Sequence, residues 1–294
     1  MGGYEYLIFE KDRKRKVATV TLNRPEVMNA FRKKDEAEVI QVFREVEEDD
    51  DVKVVILKGA GRSFCSGRDV SEVATQYGIG TGKVGERRAS QRARILYDRN
   101  YIWGRRGMIQ TILHCLKVTI AQVHGYCYGG GFFLAQACDL AVAAKGTLFT
   151  HPGWRYIGPH GDIAIYIETM GLKRAKEMLL TGRPFTTQEA LEAGLINRVA
   201  PANKLDEEVN DLSDTVAKMP LDGIVMGKAQ FEAVLDARGI AAGSSIAVLG
   251  HTLATNIRYE EGEFNLLKER RNKGVRAAIH GRMQHFKESG EGVG

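Results

Sequence analysis

The chain has 294 residues, of which 44% are apolar and six are proline, with no low-complexity tract; this fits one large globular domain with room for a small appendage. It contains no run of eighteen apolar residues, so no membrane-spanning helix is expected, and its first residues, MGGYEYLIFEKDRKRK, lack the apolar stretch and cleavage site of a secretory signal. The net charge of +5 is modest, and the basic residues concentrated over 83–106 do not alternate with aromatics as a base-stacking groove requires, so neither nucleic acid nor a membrane is expected as a partner.

Residues 4–9 and 16–22 alternate in polarity around the charged turn Lys11–Arg15 and predict a β-hairpin. Pro25 breaks the run. Helical periodicity then spans 28–47 through Phe31, Val39, Val42, Phe43 and Val46. After an acidic connector, a strand is expected at 52–57, followed by the glycine-rich turn KGAGRSFCSGRDV (58–70). Residues 70–107 are charge-rich, without a clear period. A helix over 108–117 leads into an apolar, β-branched strand at 118–123, which ends at Gly125. Gly129, Gly130 and Gly131 follow, then a helix at 130–137 and a short strand at 139–144. Further helices are expected at 171–181 and from Thr187, read as an N-cap with Ala190, Leu191 and Leu195 on one face. From 203 to 286 the pattern is helical, with weak breaks at Pro220, Gly239, Gly243 and Gly274. Strands alternating with helices, then helices alone, predict an α/β core over 1–202 and an α-helical region over 203–294.

The two glycine turns carry the chemistry. A strand, a glycine turn and a helix start leave backbone N–H groups facing outward, and the helix dipole makes that spot suit an anionic oxygen. A Cβ there would block a substrate carbonyl from the backbone. The N–H groups of Gly130 and of Ser66, before Gly67, are the candidate donors. Each turn alone reads as an ordinary βα turn. Two donors converging on one oxygen would form an oxyanion hole, worth roughly 3–4 kcal/mol per donor.

The segments LNRPEVMNAF (22–31), FCSGRDV (64–70), VHGYCYGGGFFLAQACDLAVAA (123–144), LLTGRPFTTQEALEAGLINRVAP (179–201) and KGVRAAIHGRMQHF (273–286) appear in this order. In them the chain resembles the crotonase (enoyl-CoA hydratase/isomerase) superfamily. The resemblance implies a β/α spiral core, a C-terminal helical trimerisation region, and a homotrimer or dimer of trimers. It implies acyl-CoA thioester substrates, with coenzyme A arriving as part of the substrate and no separate cofactor. It places the oxyanion donors at Ser66 and Gly130, and substrate contacts at Gly67, Arg68, Asp69, Gly131, Phe133 and Trp154. Some arginines of 83–106 would attract the coenzyme A phosphates.

One departure is large. The hydratases of this superfamily use two glutamates. The first position falls here on Phe133, and the second on Gly153 after Pro152, with Trp154 as the alternative alignment. None of the three is a carboxylate, so hydration by the usual acid–base pair is not expected. The same loop offers His151, Trp154, Tyr156, His160 and Asp162. Asp162 stands eight residues after Trp154, a spacing similar to that of the 4-chlorobenzoyl-CoA dehalogenases, where an aspartate is the nucleophile. The superfamily's C–C bond hydrolases use an aspartate and a histidine in this region. Asp162 also suits the N-cap of the run IAIYIETMG. His151 and His160 are proton-transfer candidates; the alternative is that each is bonded to backbone.

Asp69 and Glu72 read as caps for a following helix, with Glu72 facing the pocket as the alternative. His124 reads as structural, and Asp139 as a buried structural carboxylate. Phe132, Phe133 and Trp154 predict an aromatic-lined pocket suited to a cyclic or aryl acyl group. Cys65, Cys115, Cys127 and Cys138 form no CxxC pair and read as reduced, mostly buried thiols of a cytoplasmic protein. No histidine pair has metal-ligand spacing. The expected function is an acyl-CoA-processing enzyme that stabilises a thioester enolate. A ring-opening or dehalogenating hydrolase using Asp162 is the alternative, and a non-catalytic acyl-CoA-binding protein the third.

Overall fold

A computed structural model describes residues 3–73, 90–155, 157–254 and 257–288. The chain opens with the predicted hairpin, β1 (Leu7–Asp12) and β2 (Val17–Leu22), antiparallel with Leu7 opposite Leu22. Then come α1 (Lys33–Glu47), β3 (Val54–Gly59), α2 (Gln91–Tyr97) running into a π-helical turn at Asp98–Ile102, α3 (Met108–Leu113), β4 (Val118–Val123) and β5 (Tyr126–Tyr128). After these stand α4 (Gly130–Ala137), β6 (Leu140–Ala144), β7 (Leu148–Thr150), α5 (Ile163–Thr181), α6 (Thr187–Glu192) and β8 (Arg198–Ala200). The remaining elements are helices: α7 (Leu205–Ala217), α8 (Leu221–Ala237), α9 (Ile240–Ala254), α10 (Leu266–Lys273) and α11 (Val275–Glu288).

The main sheet has the order β1-β2-β3-β4-β6-β8 and is parallel from β2 onward; β5 and β7 form a separate parallel pair. Its central strands are buried on both faces, which is why they read as continuous apolar runs. Along β3, Val54 and Ile56 pack towards Leu205, Val209 and Leu212 of α7, while Val55 and Leu57 join the larger core with Phe43 of α1 and Phe132 of α4. The α/β core followed by helices agrees with the expectation from the sequence.

Several boundaries differ from the sequence pattern. The helix expected from 28 begins at Lys33, because Met28 and Asn29 are left-handed (φ 53° and 56°). Asn29 is fully buried; its Oδ1 accepts from Arg24 N, and its Nδ2 donates to the carbonyls of Ala60 and Ser63. Those bonds outweigh the helical period. Helix α3 stops at Leu113 rather than 117, where Lys117 turns back to the Asp49 carbonyl. The helix expected at 171–181 starts at Ile163 and is interrupted at Gly171 (φ 75°), so the pattern showed only its second half. The N-cap of α6 is Thr186, not Thr187: Thr186 Oγ1 accepts from Glu189 N, and the Glu189 carboxylate accepts from Thr186 N. Thr187 is buried and donates to the Thr147 carbonyl.

In the C-terminal part, residues 257–265 are not helical, and Gly243 lies inside α9 rather than breaking it. Asp139 is exposed, not buried, although it does hold Thr119 and Lys228. Helices α8 and α9 expose a row of large apolar side chains, among them Phe231 (72%) and Leu253 (70%). No single helix among the described residues is long and apolar enough to cross a membrane.

Candidate active site

The segment after β3 pairs with β5. Phe64 N donates to the His124 carbonyl and Cys65 N to that of Tyr126, while Tyr128 N donates back to Cys65. This pairing sets the two glycine turns side by side. Gly67 (φ +98°) touches the other turn: a Cβ there would lie 2.9 Å from Gly130 N. A Cβ on Gly130 would lie 3.6 Å from Arg68 N and 2.4 Å from Phe31 Cζ. Neither the Arg68 N–H nor the Gly130 N–H has an acceptor among the described residues.

Ser66, the expected donor, is corrected by this geometry. Its N–H donates to the Met28 carbonyl at 2.9 Å and its Oγ to Val27 at 3.2 Å. The outward amide of that turn belongs to Arg68. The left-handed Met28 decides this, and the sequence pattern had placed Met28 in a helix.

The Arg68 guanidinium turns to the fully buried Glu36 carboxylate and to the Tyr97 hydroxyl at 3.1 Å. It anchors its own turn. Asp69 likewise turns to Arg24 (3.2 Å) and to Ser71 N (3.0 Å); burial pushes its carboxyl up, but these bonds outweigh it and hold the group below the usual carboxylate range. Glu72 accepts from Lys33 N. The side chains of Arg68 and Asp69 are therefore structural; the Arg68 backbone is the part that faces the turn pair. His124 is held at the Gly61 carbonyl. The Cys65 thiol, pushed up to about 12 by burial, lies against the Asn29 carbonyl.

Phe133, on the first turn of α4, is surrounded by rings. Trp103 and His151 meet it edge-on at 4.6 and 4.7 Å, and Tyr166 lies at 5.2 Å. At the second position, Gly153 leaves room for His160: a Cβ there would fall 2.2 Å from the His160 Cε1. An imidazole thus fills the side-chain space of residue 153. His160 Nδ1 lies 2.7 Å from the Gly158 carbonyl and must donate to it. Its Nε2 therefore accepts, and at 3.0 Å the donor is His151 Nε2–H. That tautomer leaves His151 Nδ1 as a buried acceptor with no partner among the described residues. Burial holds His151 well below the usual histidine range; burial and then the neighbouring His251 push His160 down to about 4. Trp154 donates its indole N–H to the His160 carbonyl at 2.9 Å. Tyr156 lies outside the described residues.

Asp162 caps α5, its Oδ1 accepting from Ala164 N at 3.2 Å and its Oδ2 from Gln110 Nε2 at 3.3 Å. Burial pushes its carboxyl up to about 6, against the bonds from Ile165 and Ala164. Gln110 continues to His114 (2.9 Å) and His114 to Glu232 (3.1 Å) on α8. Asp162 thus looks towards α3 and α9, while the neighbouring Gly161 packs on the Phe133 ring.

Three residues that the sequence pattern did not single out join this cluster. His251 of α9 bonds through Nδ1 to the fully buried Asp98 at 2.9 Å, and Thr252 donates to the other Asp98 oxygen at 3.1 Å. The His251 ring lies 5.8 Å from His160 and 6.1 Å from Trp103. These partners are more than 150 positions apart in the chain, and no local spacing could have revealed them.

A parallel β/α core with a helical tail and two glycine turns in contact defines a crotonase-type fold. The chain belongs to the enoyl-CoA hydratase/isomerase family, whose family model matches residues 12–272. It is similar to a probable enoyl-CoA hydratase of Mycobacterium tuberculosis, 29% identical over 76% of this chain and 80% of the relative. Among solved structures it is similar to an enoyl-CoA hydratase/isomerase from Xanthobacter autotrophicus, with TM-score 0.81 and 26% identity over 95% of this chain and 98% of the other. A probable enoyl-CoA hydratase from Mycobacterium thermoresistibile aligns with TM-score 0.74 and 28% identity over 85% and 95%.

Proposed function

We propose that this chain is an acyl-CoA-processing enzyme that binds the thioester carbonyl between the backbone N–H groups of Arg68 and Gly130 and stabilises an enolate there. The single observation that carries the reading is the contact of the two turns at Gly67, which brings those two donors together. Two such donors in a water-poor site lower a barrier by roughly 3 kcal/mol each. Coenzyme A is part of the substrate, and no separate cofactor is required. With Phe133 and Gly153 at the glutamate positions, the carboxylate pair of the hydratases is absent, and proton handling falls to another group of the same loop. Phe133, Trp103 and Trp154 make the acyl end aromatic-lined, which suits a cyclic or aryl acyl group. The exposed apolar row on α8 and α9 is the kind of surface that a homotrimer or a dimer of trimers would cover. Four free thiols suit a reducing cytoplasm.

A second reading, hydrolysis or dehalogenation through Asp162, is favoured by one observation. Its carboxyl is desolvated and pushed up to about 6, which suits a group that shuttles a proton or attacks carbon. Titration with cyclic, aryl and linear acyl-CoA esters, followed by mass spectrometry, tests both readings. A gain of one water means hydration or ring opening, loss of halide means dehalogenation, and an unchanged mass with an altered spectrum means isomerisation. Absence of binding to every ester refutes the acyl-CoA reading. After one turnover in oxygen-18 water, lack of label in the Asp162 carboxylate removes the covalent version of the second.

A further inference from the structure

We propose that Phe31 is the positioning residue of the oxyanion site, its backbone orienting the Arg68 donor and its ring spacing the Gly130 donor. The proposal rests on the acyl-CoA reading above, which uses those two amides. Phe31 stands two residues ahead of α1 and is 3% exposed.

The backbone part turns on the Gly67 carbonyl, to which Phe31 N–H donates at 2.9 Å. That carbonyl and the Arg68 N–H belong to one peptide group. In a planar trans peptide the C=O and the N–H point to opposite sides. The bond to Phe31 therefore leaves the Arg68 N–H facing away from residue 31. Asp69 N donates in turn to the Phe31 carbonyl, also at 2.9 Å, so residue 31 grips the turn on both sides of Arg68. A carbonyl that accepts a hydrogen bond also polarises its own peptide, which makes the N–H a better donor.

The side chain reaches the other turn. A Cβ on Gly130 would lie 2.4 Å from Phe31 Cζ and 2.6 Å from Cε1. The ring edge thus occupies the side-chain space of residue 130, and only glycine admits it there. The Arg68 guanidinium lies over the same ring, 5.9 Å from its centroid, and is itself held by Glu36 and Tyr97. One residue therefore touches both donor turns. That matters because an oxyanion site works only while both donors reach a single oxygen. Burial alone would ask for apolar neighbours; it would not set the amide, the carbonyl and the ring of one residue on the two donor turns at once.

The test uses the full chain with phenylacetyl-CoA, cyclohexanoyl-CoA and butyryl-CoA, each carrying carbon-13 at the thioester carbonyl. Calorimetry measures binding, and infrared difference spectroscopy measures the carbonyl stretch of the bound ester. Donation from two amides lowers that stretch, so the wild type should bind at least one ester and show a lowered band. Phe31→Leu keeps the backbone bonds and withdraws the ring edge from Gly130. It should bind the same ester within about threefold, because most binding energy comes from parts of the substrate remote from the reacting carbon. Its band should keep only about half of the lowering, the share of the Arg68 donor left in place. Should Phe31→Leu fail to fold, Phe31→Tyr keeps the ring and adds an oxygen on the atom nearest the Gly130 side-chain space. That crowding should also weaken the lowering at unchanged affinity. A residue that only fills the core would change stability and leave the band of the bound ester where it is. A wild-type band in the variant that folds and binds overturns the proposal alone. Wild-type binding without any lowering overturns the placement of the carbonyl between Arg68 and Gly130, and failure to bind any of the esters overturns the acyl-CoA reading; the proposal falls with either.

Discussion

Two walls of the site are built on different principles. The wall made by the Gly67 and Gly130 turns is backbone: the donors proposed for it are amides, and what fixes them is a contact too close for a Cβ. The other wall is side chain, with Phe133, His151, His160, Trp154 and Trp103 packed on one another. The first keeps the architecture of the enoyl-CoA hydratase/isomerase family, and the second departs from the residues its hydratases use. A backbone donor can be lost only by deforming the fold, whereas a side-chain acid can be exchanged while the fold stands. Chemistry can therefore change on one wall without disturbing the other.

The largest effect is expected where the backbone wall is breached. Gly67→Ala puts a methyl 2.9 Å from Gly130 N on a backbone with φ +98°, which spreads the donors. Turnover of a true substrate should fall by at least about 100-fold, the scale for losing one oxyanion donor; near-normal turnover would show that the turn contact is not used. A smaller effect is expected on the side-chain wall. Gly153→Ala crowds the His160 imidazole, and because no backbone donor moves, acyl-CoA affinity should hold while turnover falls roughly tenfold. Equal loss of affinity in the two variants would erase the contrast between the walls.

A third effect, on stability, concerns Asp162. Its folded carboxyl titrates near 6 against an ordinary 3.8, so the fold favours the protonated form. The cost of ionising it is absent below about pH 4, grows between 4 and 6, and is fully present above 6; two units correspond to about 3 kcal/mol at most. Asn also caps helices well. Asp162→Asn should thus leave stability unchanged at pH 4 and raise it at pH 8, by no more than that amount, in urea unfolding. A loss at pH 8 would mean that the ionised carboxylate is needed. Turnover equal to the wild type would end the hydrolytic reading.

What could be read in the chain follows the same division. Five strands of the main sheet and the places of both glycine turns were legible, because local patterning and apolar runs ending in glycine state them; the short strands β5, β7 and β8 and the order of the sheet were not. Which amide faces outward was not. Ser66 and Arg68 differ only in phase, and that phase is set by Met28 and Asn29 in left-handed conformations nearly forty positions earlier. His151 and His160 stood out because they share a loop with Asp162, but their bond to each other was not visible. Asp98 and His251 were silent: one sits in a charge-rich stretch without period, the other within a helix, and only tertiary packing of α9 against the π-helical turn joins them.

The shared space of residue 153 and His160 also bears on ancestry. A glutamate cannot be restored at 153 while the imidazole occupies its room, and removing the imidazole first leaves a void and strands the His151 donor. Single-step reversion to two-carboxylate chemistry therefore passes through a crowded or a hollow intermediate. Positions 153 and 160 should be epistatic, and a laboratory lineage that regains the carboxylate should change both, with the order of the two steps deciding which lineages survive.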